Sequence, residues 1–204
     1  MKVEIFKNDL PDGFILEGDI AIDTETMGLN LERDRLCLIQ LSNGDGNAYF
    51  VQFLDQNYAA PNLKKLLLRP NTVKIFHYAR FDIAAIDKYL GIELDNIFCT
   101  KVASKLTRTY TSYHGLKDLC REILQINISK QQQSSNWSAT TLTDEQQEYA
   151  AKDVIYLHLL REKLTEMLQD TNRYDLATKI FHFLPTRAKI DLAGWNDIDI
   201  FAHH

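Results

Sequence analysis

Asp23 and Glu25 stand two residues apart in "AIDTETMGL", residues 21–29, where an apolar, β-branched run reads as the end of a buried strand. Strand side chains alternate between faces, so both carboxylates point the same way. Tyr149 and Asp153 are four residues apart in "YAAKD" and share one face of a helix. Asp82 sits just inside the helix that follows "KIFHYARF". Were the four carboxylates to converge within about 5 Å, each like-charged pair would cost about 3 kcal/mol at an effective dielectric near 20. The total exceeds the stability of a typical domain, about 5–15 kcal/mol. Such a cluster takes up protons or holds cations. Hard oxygen ligands without His or Cys favour Mg²⁺ or Mn²⁺ over Zn²⁺, and two divalent ions would cancel the four charges.

Each group also has a plainer role. Asp23 and Glu25 could decorate a solvent-facing edge. Asp82 could complement a helix dipole, and Tyr149 with Asp153 could be a half-buried aromatic beside a surface acid. Only the combination argues for a site.

The elements that would position these residues follow from pattern. "KVEIF" and "GDIAIDT" read as strands, "DGF" as a turn, and "RLCLIQLSNGDGNAYFVQF" as a hairpin whose "NGDG" supplies positive-φ positions. "NLKKLLL" is helical, "TVKIFHY" is a short strand, and "RFDIAAIDKYLG" is a helix stopped by Gly91. From about residue 99 the pattern is almost entirely helical. Thr143 and Gln146 form a capping-box pattern opening a long helix expected to run to about Leu168. A mostly antiparallel sheet early, a further strand between helices, and flanking helices predict an α/β or α+β fold in one domain, residues 1–204.

Composition is that of a globular domain, 45% hydrophobic and 25% charged. No apolar run approaches the roughly 20 residues of a membrane span, and the N-terminus lacks a signal-peptide pattern. Cys37, Cys99 and Cys120 have no C-x-x-C spacing, which argues against a disulfide framework or zinc site and fits a cytoplasmic location. Net charge is −5, yet residues 101–130 hold six basic residues against two acids, interleaved with Tyr110, Tyr113 and His114. Solvated helix faces explain such a segment; a phosphate-contacting wall with rings for stacking is the alternative.

At these motifs the sequence resembles the ribonuclease D family of 3′→5′ exonucleases, within the DEDD superfamily. "DTETMGL" looks like its first motif, "HYARFD" like its second with His77 in the lead position, and "YAAKD" like its third, tyrosine-type motif. "SNWSATTLTDEQQEYAAKDVIYL" is similar to the family's Ser-x-Trp and Leu-Thr-x-x-Gln segment. The resemblance implies an RNase H-like fold with a central mixed β-sheet flanked by helices; as a departure from larger family members, a short form without the helicase-and-RNase-D C-terminal domain is expected. It also implies a 3′→5′ exoribonuclease with a two-metal mechanism that releases nucleoside 5′-monophosphates from RNA 3′ ends. Asp23 would bridge two Mg²⁺ or Mn²⁺ ions, Glu25 and Asp153 would complete one site, and Asp82 would support the second. Glu25 would contact the terminal 3′-hydroxyl, and Thr26, Met27 and Leu29 would line the terminal nucleotide's pocket.

Tyr149, as a phenol with pKa near 10, is better suited to align the attacking water than to deprotonate it. Met27 and Leu29 could instead fill core, and His77 could be a satisfied buried imidazole. Trp137 would pack the loop ahead of the catalytic helix, and Lys130 and Gln133 are candidates for phosphate contact. Rival functions are an exonuclease acting on DNA, including single-stranded DNA, an inactive nucleic-acid-binding module, and a two-metal hydrolase of small phosphate esters. The tail "RAKIDLAGWNDIDIF" is expected to pack against the sheet.

Overall fold

The computed structural model describes residues 1–128 and 135–203, and its centre is a six-stranded sheet. The strands are β1 (Val3–Lys7), β2 (Ile20–Thr26), β3 (Leu36–Ser42), β4 (Ala48–Gln52), β5 (Lys74–Phe76) and β6 (Ile97–Cys99), in the order β1-β4-β3-β2-β5-β6. β2, β3 and β4 are antiparallel, while β1 runs parallel to β4, β5 to β2 and β6 to β5. This is the mixed sheet expected, although β1 takes the edge by parallel pairing. β6 spans only Ile97–Cys99, too short for a periodic signal. The hairpin turns where Gly44 and Gly46 adopt φ of 86° and 84°, a region open mainly to glycine.

Helices α1 (Pro61–Leu67), α2 (Ala79–Leu90), α3 (Thr100–Thr107), α4 (Leu116–Ile123), α5 (Asp144–Ile155), α6 (Leu157–Asp170) and α7 (Tyr174–Ile190) flank the sheet. Ile20, Ala21 and Ile22 of β2 are fully buried, as a strand with neighbours on both edges requires. Gly91, at φ 66°, ends α2 as expected. Among the described residues no helix is long and apolar enough to cross a membrane.

Two expectations need correction. The long helix is broken at Tyr156 into α5 and α6. No Gly or Pro marks the break. α5 lies over β2, β3 and β4, whereas α6 turns toward α3 and β5. His158 Nε2 meets the Asp19 carbonyl at 3.1 Å, and Arg161 pairs with the Asp19 carboxylate, so α6 is also tied to the segment before β2. A straight helix could not serve both surfaces. The tail, in turn, docks on α2 rather than on the sheet. After α7 a wide turn, Asp191–Trp195, brings Asp191 against the Arg80 guanidinium.

α5 begins with the capping box: Gln146 N–H donates to Thr143 Oγ1 at 3.2 Å, and Thr143 N–H donates to Gln146 Oε1 at 2.9 Å. Thr143→Ala is therefore expected to lower unfolding stability by about 1 kcal/mol in urea denaturation. An unchanged midpoint would show that the cap does not secure α5.

Candidate active site

β2 is the place where strand order reverses, with β3 on one side and β5 on the other. Crevices form beyond the carboxyl ends of strands at such a point. The end of β2 carries Asp23 and Glu25, and the residues just after β5, His77 and Tyr78, face the same pocket of about 560 Å³. A register shift between Glu25 and Thr26 interrupts the β2–β3 ladder, and such bulges re-aim the side chains beside them.

Asp23, Glu25 and Asp153 each offer a carboxylate oxygen, and these oxygens lie within 4.8 Å of one another. Asp82 lines the same pocket from α2 but is not one of this close trio. It is nearly fully buried and accepts a hydrogen bond from Thr24 Oγ1 at 2.7 Å. Thr24 sits between the two strand acids and, by alternation, points to the other face. Convergence of four oxygens within about 5 Å is thus corrected to three oxygens plus a tethered fourth acid.

Burial pushes the Asp23 carboxyl up to about 7. Glu25 is held well above its ordinary range by burial and by the charges of Asp23, Asp153 and Asp82. Asp82 is raised by burial and by Asp23. The donor set is oxygen only, and it fits Mg²⁺ or Mn²⁺.

Tyr149 stands on the same face of α5 as Asp153. Its hydroxyl ionises far less readily than a free phenol, through burial and then the charges of Asp153, Glu25 and Asp23. Its ring lies 6.0 Å from the buried Trp137 ring. The loop carrying Trp137 is fastened to the sheet by Gln52 Nε2, which donates to the Ala139 carbonyl at 2.7 Å, and by Lys7 Nζ, which donates to the Thr140 carbonyl at 3.2 Å. Trp137 therefore packs the loop ahead of α5 and also lines the pocket.

The rim follows β2. Thr26 is buried and its hydroxyl donates to the Gly28 carbonyl. Met27 and Leu29 line the pocket at 57% and 86% exposure, so neither fills core. A side chain at Gly28 would collide with the Asp34 carboxylate, which fixes how tightly this rim can turn. His77 is half-buried at the pocket wall with Nδ1 2.9 Å from Thr100 Oγ1. Lys130 and Gln133 lie outside the described residues.

Of the basic segment, Lys101 and Lys117 reach the pocket. Arg108 does not form a wall: it is buried, paired with Glu122, and bonded to Ser104 Oγ and the Tyr113 carbonyl. Arg121 pairs with Asp118 and Glu122.

Sequence reasoning missed Thr24 and Tyr78. Tyr78 precedes α2 at φ 74° and ψ 42°, with Lys101 Nζ 4.3 Å from its ring centroid. A bulky residue in that conformation is strained, and such strain gathers at functional sites. Nothing in its sequence neighbourhood announces it.

A mixed sheet whose central strand and two flanking helices turn acids into one pocket defines the exonuclease class of the RNase H-like fold. The chain belongs to the 3′–5′ exonuclease family, whose model matches residues 4–169. NrnC of Brucella melitensis is 50% identical, with full coverage of both chains and a TM-score of 0.96, in a structure bound to pGG. Its structure with bound Mg²⁺ is similar at 49% identity and a TM-score of 0.94. Ribonuclease D of Jannaschia sp. (strain CCS1) is 30% identical over 157 residues, 76% of this chain and 40% of that protein. Escherichia coli RNase D, 24% identical over 88% of this chain and 48% of that one, shares the fold at a TM-score of 0.74. The chain thus spans less than half the length of these ribonuclease D proteins. The family and fold expected from the motifs are borne out.

The raised carboxyls set a pH dependence. Between their ordinary values (3.8 for Asp, 4.5 for Glu) and the raised ones, about 7 for Asp23, the folded chain binds more protons than the unfolded chain. Stability then falls as pH rises through that window. Asp34 and Glu122, held below their ordinary ranges by hydrogen bonds from Arg33 and Arg121, stabilise throughout this window and lose that contribution only as pH falls below it. In chelator the protein is expected to melt at a lower temperature at pH 8 than at pH 5. Mg²⁺ or Mn²⁺ should narrow the gap, and Asp23→Asn should shrink it without metal. A chelated protein that melts higher at pH 8 would contradict this account.

Proposed function

We propose that residues 1–204 act as one domain, a metal-dependent 3′→5′ exoribonuclease that releases nucleoside 5′-monophosphates from RNA ends. The observation that carries this reading is the trio of carboxylate oxygens within 4.8 Å, drawn from β2 and α5, in a pocket shared with Asp82 and Tyr149. NrnC has been obtained with Mg²⁺ and with pGG, which supports a divalent cation here and makes pGG a short substrate to try.

Asp23, Glu25 and Asp153 would hold the cations, two in number, with Asp82 supporting the second. When bound, such cations stabilise both the attacking and the leaving oxygen of a phosphodiester and activate water near neutral pH. The chain's own groups do the rest. Met27 and Leu29 offer apolar surface to the terminal nucleotide, in a pocket also lined by Thr26 and His77. Glu25 receives the 3′-hydroxyl. Lys101 and Lys117 place positive charge against the phosphates, and Lys130 and Gln133, outside the described residues, are candidates for further phosphate contact. Tyr149 keeps its proton and orients the water. Water oxygen bonds to phosphorus, the bond from phosphorus to the upstream 3′-oxygen breaks, and that oxygen takes a proton. The freed nucleotide leaves with its 5′-phosphate.

Labelled RNA and DNA with free or blocked 3′ ends, together with pGG, test the reading. Free-ended RNA should be laddered in Mg²⁺ or Mn²⁺ and untouched in chelator. Equal digestion of DNA would replace RNA specificity with general exonuclease activity, and cleavage of blocked ends would overturn the polarity. Asp23→Asn and Asp153→Asn should abolish turnover. Tyr149→Phe should lower it roughly 10²-fold while cation binding, followed by calorimetry, persists. A fully active Tyr149→Phe enzyme would remove Tyr149 from the mechanism.

A further inference from the structure

β3 carries a polar residue where its neighbours are apolar. Leu38, Ile39 and Leu41 are buried, and between the last two lies Gln40, also wholly buried. Neither its amide nitrogen nor its amide oxygen has a hydrogen-bond partner. A buried carboxamide left unpaired destabilises a fold relative to an apolar residue of the same shape. Packing alone gives no reason to keep it.

Its register gives one. Gln40 stands directly opposite Asp23 in the antiparallel β2–β3 pair. Residues opposed in this way project to the same face of the sheet, with Cβ atoms about 4.5–5.5 Å apart. That face is the one on which Asp153 of α5 meets Asp23 and Glu25. Gln40 is not among the residues that line the pocket, so it stands beside Asp23 in the sheet rather than facing the pocket. Asp82 already has a side-chain donor in Thr24 Oγ1, whereas the hydrogen bond acting on Asp23 comes from the Thr24 backbone.

We propose that Gln40 is a positioning residue for Asp23. Its carboxamide N–H donates to the Asp23 carboxylate when that group is ionised on a divalent cation, and so fixes which oxygen faces the ion. Outer hydrogen bonds of this kind orient a metal ligand, and their loss typically weakens metal binding about 10–100-fold. The inference rests on the divalent-cation reading of the site given above.

The test titrates Mn²⁺ into the metal-free protein by calorimetry, comparing wild type, Gln40→Met and Gln40→Leu, with Asp23→Asn as control. Each variant is also melted without metal. Both Gln40 variants are expected to melt, metal-free, at or above the wild-type temperature and to bind Mn²⁺ about 10-fold more weakly. Wild-type Mn²⁺ affinity in either folded variant would overturn the proposal. So would a lower metal-free melting temperature in both, which would assign Gln40 to packing. Wild-type protein that binds no Mn²⁺ would defeat the cation reading itself, and this inference with it. Binding that is lost in Asp23→Asn but unchanged in Gln40→Met would defeat the inference alone.

Discussion

Repulsion among carboxylates at the end of β2 sets the terms for the rest of the fold. Oxygens of Asp23, Glu25 and Asp153 lie within 4.8 Å of one another, and each ionised pair at such a distance repels by about 3 kcal/mol at an effective dielectric near 20. A domain with about 5–15 kcal/mol of stability keeps them together only if the elements bearing them cannot part. β2 cannot part, because it is paired on both edges and its Ile20, Ala21 and Ile22 are fully buried. α5 is fixed at its start by the Thr143–Gln146 box and along its length by β2, β3 and β4. α2 is held from the far side, where Asp191 receives both Arg80, two residues before Asp82, and Arg187. The C-terminal turn thus braces the helix that supplies the fourth acid.

The same constraint reconciles an acidic chain with a polyanionic substrate. A net charge of −5 disfavours nucleic acid. Arg108 and Arg121 are committed to Glu122 and Asp118, and among the described residues Lys101 and Lys117 are the bases of that segment that reach the pocket. The sign of the pocket is therefore set by occupancy. With the acids ionised it repels phosphate, and with divalent cations held there it does not. Cation and substrate binding are coupled through charge, so affinity for nucleic acid should rise with cation concentration even where no residue changes position.

The parts of this arrangement that were legible in the sequence are those governed by local periodicity. Two-residue alternation put Asp23 and Glu25 on one face, four-residue spacing paired Tyr149 with Asp153, and the cap at Thr143, the hairpin glycines and Gly91 each mark a backbone geometry their own residues dictate. What was not legible depends on partners distant in the chain. The break at Tyr156 follows from α5 and α6 serving different surfaces. The tether from Thr24 to Asp82 joins residues 58 apart. The strain at Tyr78 is imposed by the turn from β5 into α2, and the neutralisation of Arg108 depends on Glu122 on another helix. The tail was expected on the sheet with no pattern in its residues to direct it, whereas the Arg80–Asp191 pair seats it on α2.

Tyr149 shows the constraint acting on a group that does not ionise. The three acids that must crowd together to hold cations also surround its hydroxyl, and burial adds to their effect, so the phenol keeps its proton. A group in that state can donate a hydrogen bond and orient a partner; it is not an ionised base. In the proposed mechanism the proton released when water attacks therefore goes elsewhere, and Tyr149 would matter by where its O–H points. That direction is set by the ring packed on Trp137, in a loop fastened through Gln52 and Lys7 to strands β4 and β1 at the far side of the sheet. Charge at the centre of the sheet and packing at its edge therefore meet in one hydroxyl. The first decides its protonation and the second its aim.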